Sequence, residues 1–192
     1  MKGREETDLR LEEKTLSSRS VFKGRIIGLR IDEVELPDGR KASREIVEHP
    51  GAVAVVPLTE TGEVVMVEQY RVPAGRVLLE IPAGKLEPGE NPLACARREL
   101  LEETGFLAEN LEILTPFYST PGFCTELAYL VMATGLIKRE AATDPDEFLR
   151  LRVLPLADTV AMARRGEIPD AKTLLGLLWA WNLRQGTFRR DP

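Results

Sequence analysis

Hydrophobic and polar positions fall into two regimes along this chain. Up to about Thr15 the residues are polar and charged and read as a lightly packed start. From Leu16 the pattern changes. Residues 21–31 and 34–36 read as strands, Pro37-Asp38-Gly39 as a turn, and residues 42–48 as a further strand. Short strands of this kind bury little by themselves, so the unit must lean on the main domain or on a second copy of the chain. Pro50-Gly51 marks a boundary. The expected organisation is a small antiparallel β unit over residues 1–49, serving recognition and dimerisation, and a main domain over residues 50–192.

Within the main domain, residues 52–58 and 63–69 are apolar runs suited to a sheet covered on both faces. Residues 78–83 form a short strand, residues 111–114 and 127–133 two more, and residues 149–154 alternate like a half-buried strand. Three helices are expected. One begins after Asn91, which can cap it with Pro92 at the first helical position, and ends at Gly105. A second covers about 156–165 and stops at Gly166. The third starts near Asp170 and carries Leu174, Leu175, Leu178 and Trp181. Trp179 and Trp181 read as core or interface residues. Helices on both faces of a mixed sheet make an α/β/α sandwich.

Composition narrows the function classes. The chain has 192 residues, 43% hydrophobic and 30% charged, as an ordinary globular protein does. Its formal net charge of -5 argues against a surface that coats nucleic acid. No apolar run approaches the roughly 20 residues needed to cross a bilayer, and the charged start lacks a signal-peptide core. Cys95 and Cys124 show no metal-type pairing and read as small buried hydrophobes, so a cytoplasmic setting with free thiols is expected.

The chemistry concentrates on the first helix of the main domain. Glu99, Glu102 and Glu103 stand at i, i+3 and i+4, so their carboxylates share one side, while Leu93, Ala96 and Leu100 face a core. Crowded carboxylates repel, and only Arg98 stands close by. A divalent cation would neutralise them, and an all-oxygen set favours Mg²⁺, with Mn²⁺ as a substitute. Arg98 and Glu90 are placed to pair and to orient the metal-binding carboxylates.

The spacing of Gly84, Glu90, Arg98-Glu99, Leu100, Glu102-Glu103, Gly105 and Phe106 matches the Nudix box at each specified position. The sequence thus resembles the Nudix hydrolases, which cleave a nucleoside diphosphate linked to another moiety. The Nudix fold follows from that resemblance. Glu68-Gln69-Tyr70-Arg71 and Ser119-Thr120-Pro121-Gly122-Phe123 resemble segments of the ADP-ribose pyrophosphatases. What the resemblance implies is Mg²⁺-dependent hydrolysis of ADP-ribose to AMP and ribose 5-phosphate. Another nucleoside diphosphate sugar, such as GDP-mannose, and a non-catalytic ADP-ribose sensor stand as alternatives.

The resemblance also assigns roles. Beside Glu99, Glu102 and Glu103, the carbonyl of Ala83 would bind metal. Arg71 would clamp the substrate phosphates, Glu126 would contact the terminal ribose, Arg44 and Glu45 would hold adenine, and Ile26 would sandwich it. The loop 139–148 would supply a catalytic base or a further acidic ligand. Glu147 fits best, but Pro145 stands where relatives often carry a Glu, so Asp146, Asp144 and Glu140 remain open. Family members are commonly homodimers with exchanged N-terminal units.

Overall fold

The computed structural model describes residues 11–139 and 148–186, which form two compact units. One consists of the described residues up to Pro50 together with Thr120–Glu126. The other consists of Gly51–Ser119 and the described residues from Leu127 onward.

In the larger unit, every residue of β4 (Ala52–Pro57) is buried. Strand alternation sends its side chains to two different cores. Val53 and Val55 pack with Val131 and Ala133 against Cys95, Ala96 and Leu100 of the first helix. Ala54 and Val56 pack with Val64, Met66 and Leu130 against Leu156, Val160, Leu177 and Ala180 of the other two. An unbroken apolar run is what a strand covered on both faces requires. The sheets run β7-β4-β9-β8 and β10-β5-β6. Their strands are β5 (Glu63–Arg71), β6 (Arg76–Glu80), β7 (Ala83–Lys85), β8 (Phe106–Tyr118), β9 (Leu127–Lys138) and β10 (Leu149–Pro155). The β4–β9 pair is parallel and the other pairs are antiparallel. This is the mixed α/β/α arrangement that the sequence predicts.

Helix α1 spans Pro92–Thr104, with Asn91 Oδ1 accepting from Leu93 N at 2.9 Å and Gly105 closing it at φ 68°. Helix α2 spans Leu156–Arg164 and α3 spans Ala171–Arg184. Asp170 caps α3 by accepting from Thr173 N at 2.9 Å.

The buried face of α3 differs from the expected one. It consists of Thr173, Gly176, Leu177 and Ala180, while Leu178 is 43% exposed. Small residues let this helix approach the sheet: a Cβ at Gly176 would come within 2.8 Å of Val56 Cγ2 and 2.9 Å of Ile81 Cδ1. Leu174, Leu175, Trp179 and Trp181 flank that contact half-buried. The expected strand over 78–83 is also divided. It breaks at Ile81-Pro82, where a residue without an N–H carries the chain from one sheet to the other. Val55 N donates to Pro82 O at 2.8 Å across that break.

The smaller unit is a meander in the order β1-β2-β3, antiparallel throughout. Its strands are β1 (Lys14–Lys23), β2 (Gly28–Glu35) and β3 (Lys41–Glu48). The expected strand over 21–31 is divided by a turn in which Gly24 N donates to Ile27 O at 2.8 Å, and residues 34–35 continue β2; β1 has all its residues exposed, so no buried face marks it in the sequence. The segment Thr120–Glu126 joins β3 through Val47, whose N donates to Phe123 O at 2.8 Å and whose O accepts from Thr125 N at 2.9 Å. No helix among the described residues is long and apolar enough to cross a membrane. Cys95 is buried as expected, whereas Cys124 is only half-buried.

Candidate functional site

Helix α1 and strand β7 bring Ala83, Arg98, Glu99, Glu102 and Glu103 together. Glu103 is 7% exposed, and its Oε2 accepts from Ala83 N at 3.1 Å. Glu99 lies so close to Gly84 that a Cβ there would overlap its carboxylate. Two glutamates from successive turns of α1 therefore pack on one stretch of backbone, which only a glycine at Gly84 permits. Glu102 is the outermost of the three, with a side chain 32% exposed.

Arg98 ties this group together. Its Nε and Nη2 form a bidentate pair with Glu90 at 3.1 and 3.0 Å. Its Nη1 donates to Glu99 Oε1 at 2.7 Å and to Glu102 Oε2 at 3.1 Å. The guanidinium holds the Glu90 carboxyl down at about 2, and Glu90 in turn raises the Arg98 pKa. Glu90 therefore contributes stability in full above its ordinary value of 4.5 and loses that contribution as pH falls toward about 2. In acid titrations, the stability gap between the protein and Glu90→Gln should be constant near neutrality and close over this window. A gap that persists unchanged to pH 2 would place the effect elsewhere. Burial pushes the neighbouring Cys95 thiol up to about 12, so it is inert as a nucleophile.

The donor set suits a hard divalent cation, with Glu99 and Glu103 on a backbone cradle that a Cβ would fill and Glu102 joined to Glu99 through Arg98. Among the described residues, however, no three Asp, Glu, His or Cys side chains are gathered closely enough to enclose an ion as they stand. Arg98 takes oxygens of Glu99 and Glu102, and Ala83 N takes one of Glu103. A cation would compete with these partners.

Arg71 stands at the end of β5 with its side chain 38% exposed. Its Nε and Nη2 bond Glu80 Oε1 and Oε2 at 3.0 and 2.8 Å. Glu80, only 2% exposed, is a residue that sequence reading passed over. The signal available was a carboxylate inside an apolar strand, two residues before Pro82.

The residues expected to hold the adenine and the terminal ribose belong to the smaller unit. Arg44 is engaged by Glu13, at 2.9 Å from Nε and 2.5 Å from Nη2. Glu45 is exposed and Ile26 is 51% exposed. Ile26 lines a cavity of about 470 Å³ with Phe22, Glu48 and His49. Glu126 is half-buried and lies 3.7 Å from His49 Nδ1. Glu147 and the other candidates for the base, Glu140, Asp144 and Asp146, lie outside the described residues. A larger groove of about 740 Å³ runs between α1 and β8, lined by Leu93, Arg97 and Leu101. Leu93, Arg97 and Leu101 stand on the side of α1 away from Glu99 and Glu103, and Arg98 borders both the groove and the acidic site.

Known proteins resemble this chain over most of its length. Residues 48–176 match the NUDIX domain, and residues 13–47 match the nucleoside diphosphate sugar hydrolase N-terminal domain. The chain is 47% identical over 168 residues to a methanol dehydrogenase activator of Bacillus methanolicus, covering 86% of this chain and 91% of that protein. It is 45% identical over 165 residues to an ADP-ribose pyrophosphatase of Bacillus subtilis (strain 168), covering 85% and 89% respectively. A solved structure of an ADP compounds hydrolase superposes with a TM-score of 0.79 at 24% identity, covering 93% of this chain and 98% of that one, which shows the shared fold.

Proposed function

Because the chain belongs to the Nudix hydrolase family, we propose that it hydrolyses the diphosphate bond of ADP-ribose, using Mg²⁺ or in its place Mn²⁺, to yield AMP and ribose 5-phosphate. The observation that carries this reading is the seating of Glu99 and Glu103 on Ala83-Gly84, in a chain with an ADP-ribose pyrophosphatase among its relatives.

A diphosphate resists attack because its oxygens carry negative charge, and a bound divalent cation offsets that charge. The residues that would hold the cation are Glu99, Glu102, Glu103, the carbonyl of Ala83 and Glu147. Arg98, anchored on Glu90, keeps Glu99 and Glu102 oriented. Arg71 presents a planar cation to the phosphates. Glu147, from the segment that follows β9, serves as base or further ligand. The N-terminal unit supplies Arg44, Glu45 and Ile26 for the adenine, and the segment Thr120–Glu126 supplies Glu126 for the terminal ribose. The N-terminal unit also carries a homodimer with exchanged N-terminal units. The exposed Leu16, Val21 and Phe22 of β1 support such an association. Free cysteines are consistent with a cytoplasmic setting.

A second reading, a regulator that acts on a dehydrogenase, has the methanol dehydrogenase activator behind it. Phosphate release from a panel of nucleotide sugars, measured with Mg²⁺ and a coupled phosphatase, separates the readings. ADP-ribose should be turned over fastest. Faster release from GDP-mannose would redirect the substrate assignment, and tight ADP-ribose binding without turnover would favour the regulator.

A further inference from the structure

We propose that Glu80, Lys172 and Asp170 form a positioning chain for Arg71, through which the first turn of α3 sets the affinity of the reaction site for phosphates. The inference rests on reading Arg71 as a phosphate clamp.

Val67 and Arg71 lie on the same face of β5, and Glu80 is the cross-strand partner of Val67 on β6. That register places the Glu80 carboxylate beneath the Arg71 guanidinium. The bidentate pair uses the Nε–Nη2 edge and leaves the Nη1 side for a further acceptor. Glu80 holds the Arg71 pKa above its usual range, and the charges of Glu103 and Asp170 add to this, so Arg71 lies within electrostatic reach of the acidic helix.

Glu80 is itself positioned from behind. Lys172 Nζ lies 3.9 Å from Glu80 Oε2 and 2.7 Å from Asp170 Oδ1. Asp170 is fixed as the cap of α3, accepting from Thr173 N at 2.9 Å and from Thr173 Oγ1 at 2.6 Å. The same Thr173 Oγ1 accepts from Ile81 N at 3.0 Å, which ties the residue after Glu80 to the helix. Two cations and two carboxylates alternate, so a carboxylate with almost no access to water remains balanced. A long arginine side chain loses much rotamer freedom when it grips a ligand. Ordering it beforehand moves that cost out of the binding step.

The test is steady-state kinetics with ADP-ribose and Mg²⁺ on Lys172→Met, Lys172→Arg and Glu80→Gln, each with and without Arg71→Ala. Lys172→Met should raise KM about fivefold with kcat within about twofold, and Lys172→Arg should restore KM. Glu80→Gln should raise KM by more, and Lys172→Met, at a half-buried rather than a buried position, keeps the test standing if Glu80→Gln does not fold. In the Arg71→Ala background the Lys172→Met effect should vanish, because the positioned group is gone. An unchanged KM in Lys172→Met, or the same rise in the Arg71→Ala background, overturns the chain while sparing the clamp. An unchanged KM in Arg71→Ala itself overturns the clamp and the chain together.

Discussion

Replacing Glu103 with glutamine should lower kcat by about three orders of magnitude, or about 4 kcal/mol of transition-state stabilisation, while thermal unfolding stays close to that of the unmodified protein. The change is isosteric, and the amide keeps an oxygen that can accept from Ala83 N, so the 3.1 Å contact that ties α1 to β7 can survive. What disappears is a negative charge at a site 7% exposed, where it acts through little water. Loss of fold and loss of chemistry are thereby separated. Circular dichroism melting beside phosphate release would show both, and near-normal turnover would remove Glu103 from the metal-binding set.

The second large effect is expected at Gly84. Its φ lies outside the positive region, so alanine can adopt its backbone conformation, and the demand for glycine is one of space alone. A methyl group at Gly84 meets the Glu99 carboxylate. Because Glu99 can swing outward on α1, the fold should persist while the carboxylate leaves its seat. Gly84→Ala should therefore cost about a hundredfold in kcat, with only a small shift in melting temperature. Combined with Glu99→Ala, the loss should not multiply, since both changes empty the same position. Full additivity of the two would mean that Gly84 acts on something other than Glu99.

Much of this architecture is legible in the sequence. Helix α1 was read with both its ends, because Asn91, Pro92 and Gly105 act within a turn of where they stand. The two-sided burial of β4 was read from its apolar run. Where reading failed, the physical reason is plain in each case. β1 has no buried side to mark it, so its last residues read as one strand with β2, and the turn at residues 24–27 did not show. In α3 the pattern of large apolar residues does not show that Gly176, lacking a side chain, lies tight against Val56 and Ile81. Glu80 was passed over because its partner Arg71 meets it only once β5 and β6 have paired.

By itself, then, the sequence determined the acidic face of α1, the turn before it and the family whose spacing it carries, since each depends on neighbours within a few helical turns. Tertiary structure alone decided how that face is used. It brought Gly84 against Glu99, seated Glu103 on Ala83 and linked Ile81 to Thr173 across 92 residues. Contacts of that kind depend on which strands pair and how closely a helix can approach them, and no local pattern in the chain encodes either.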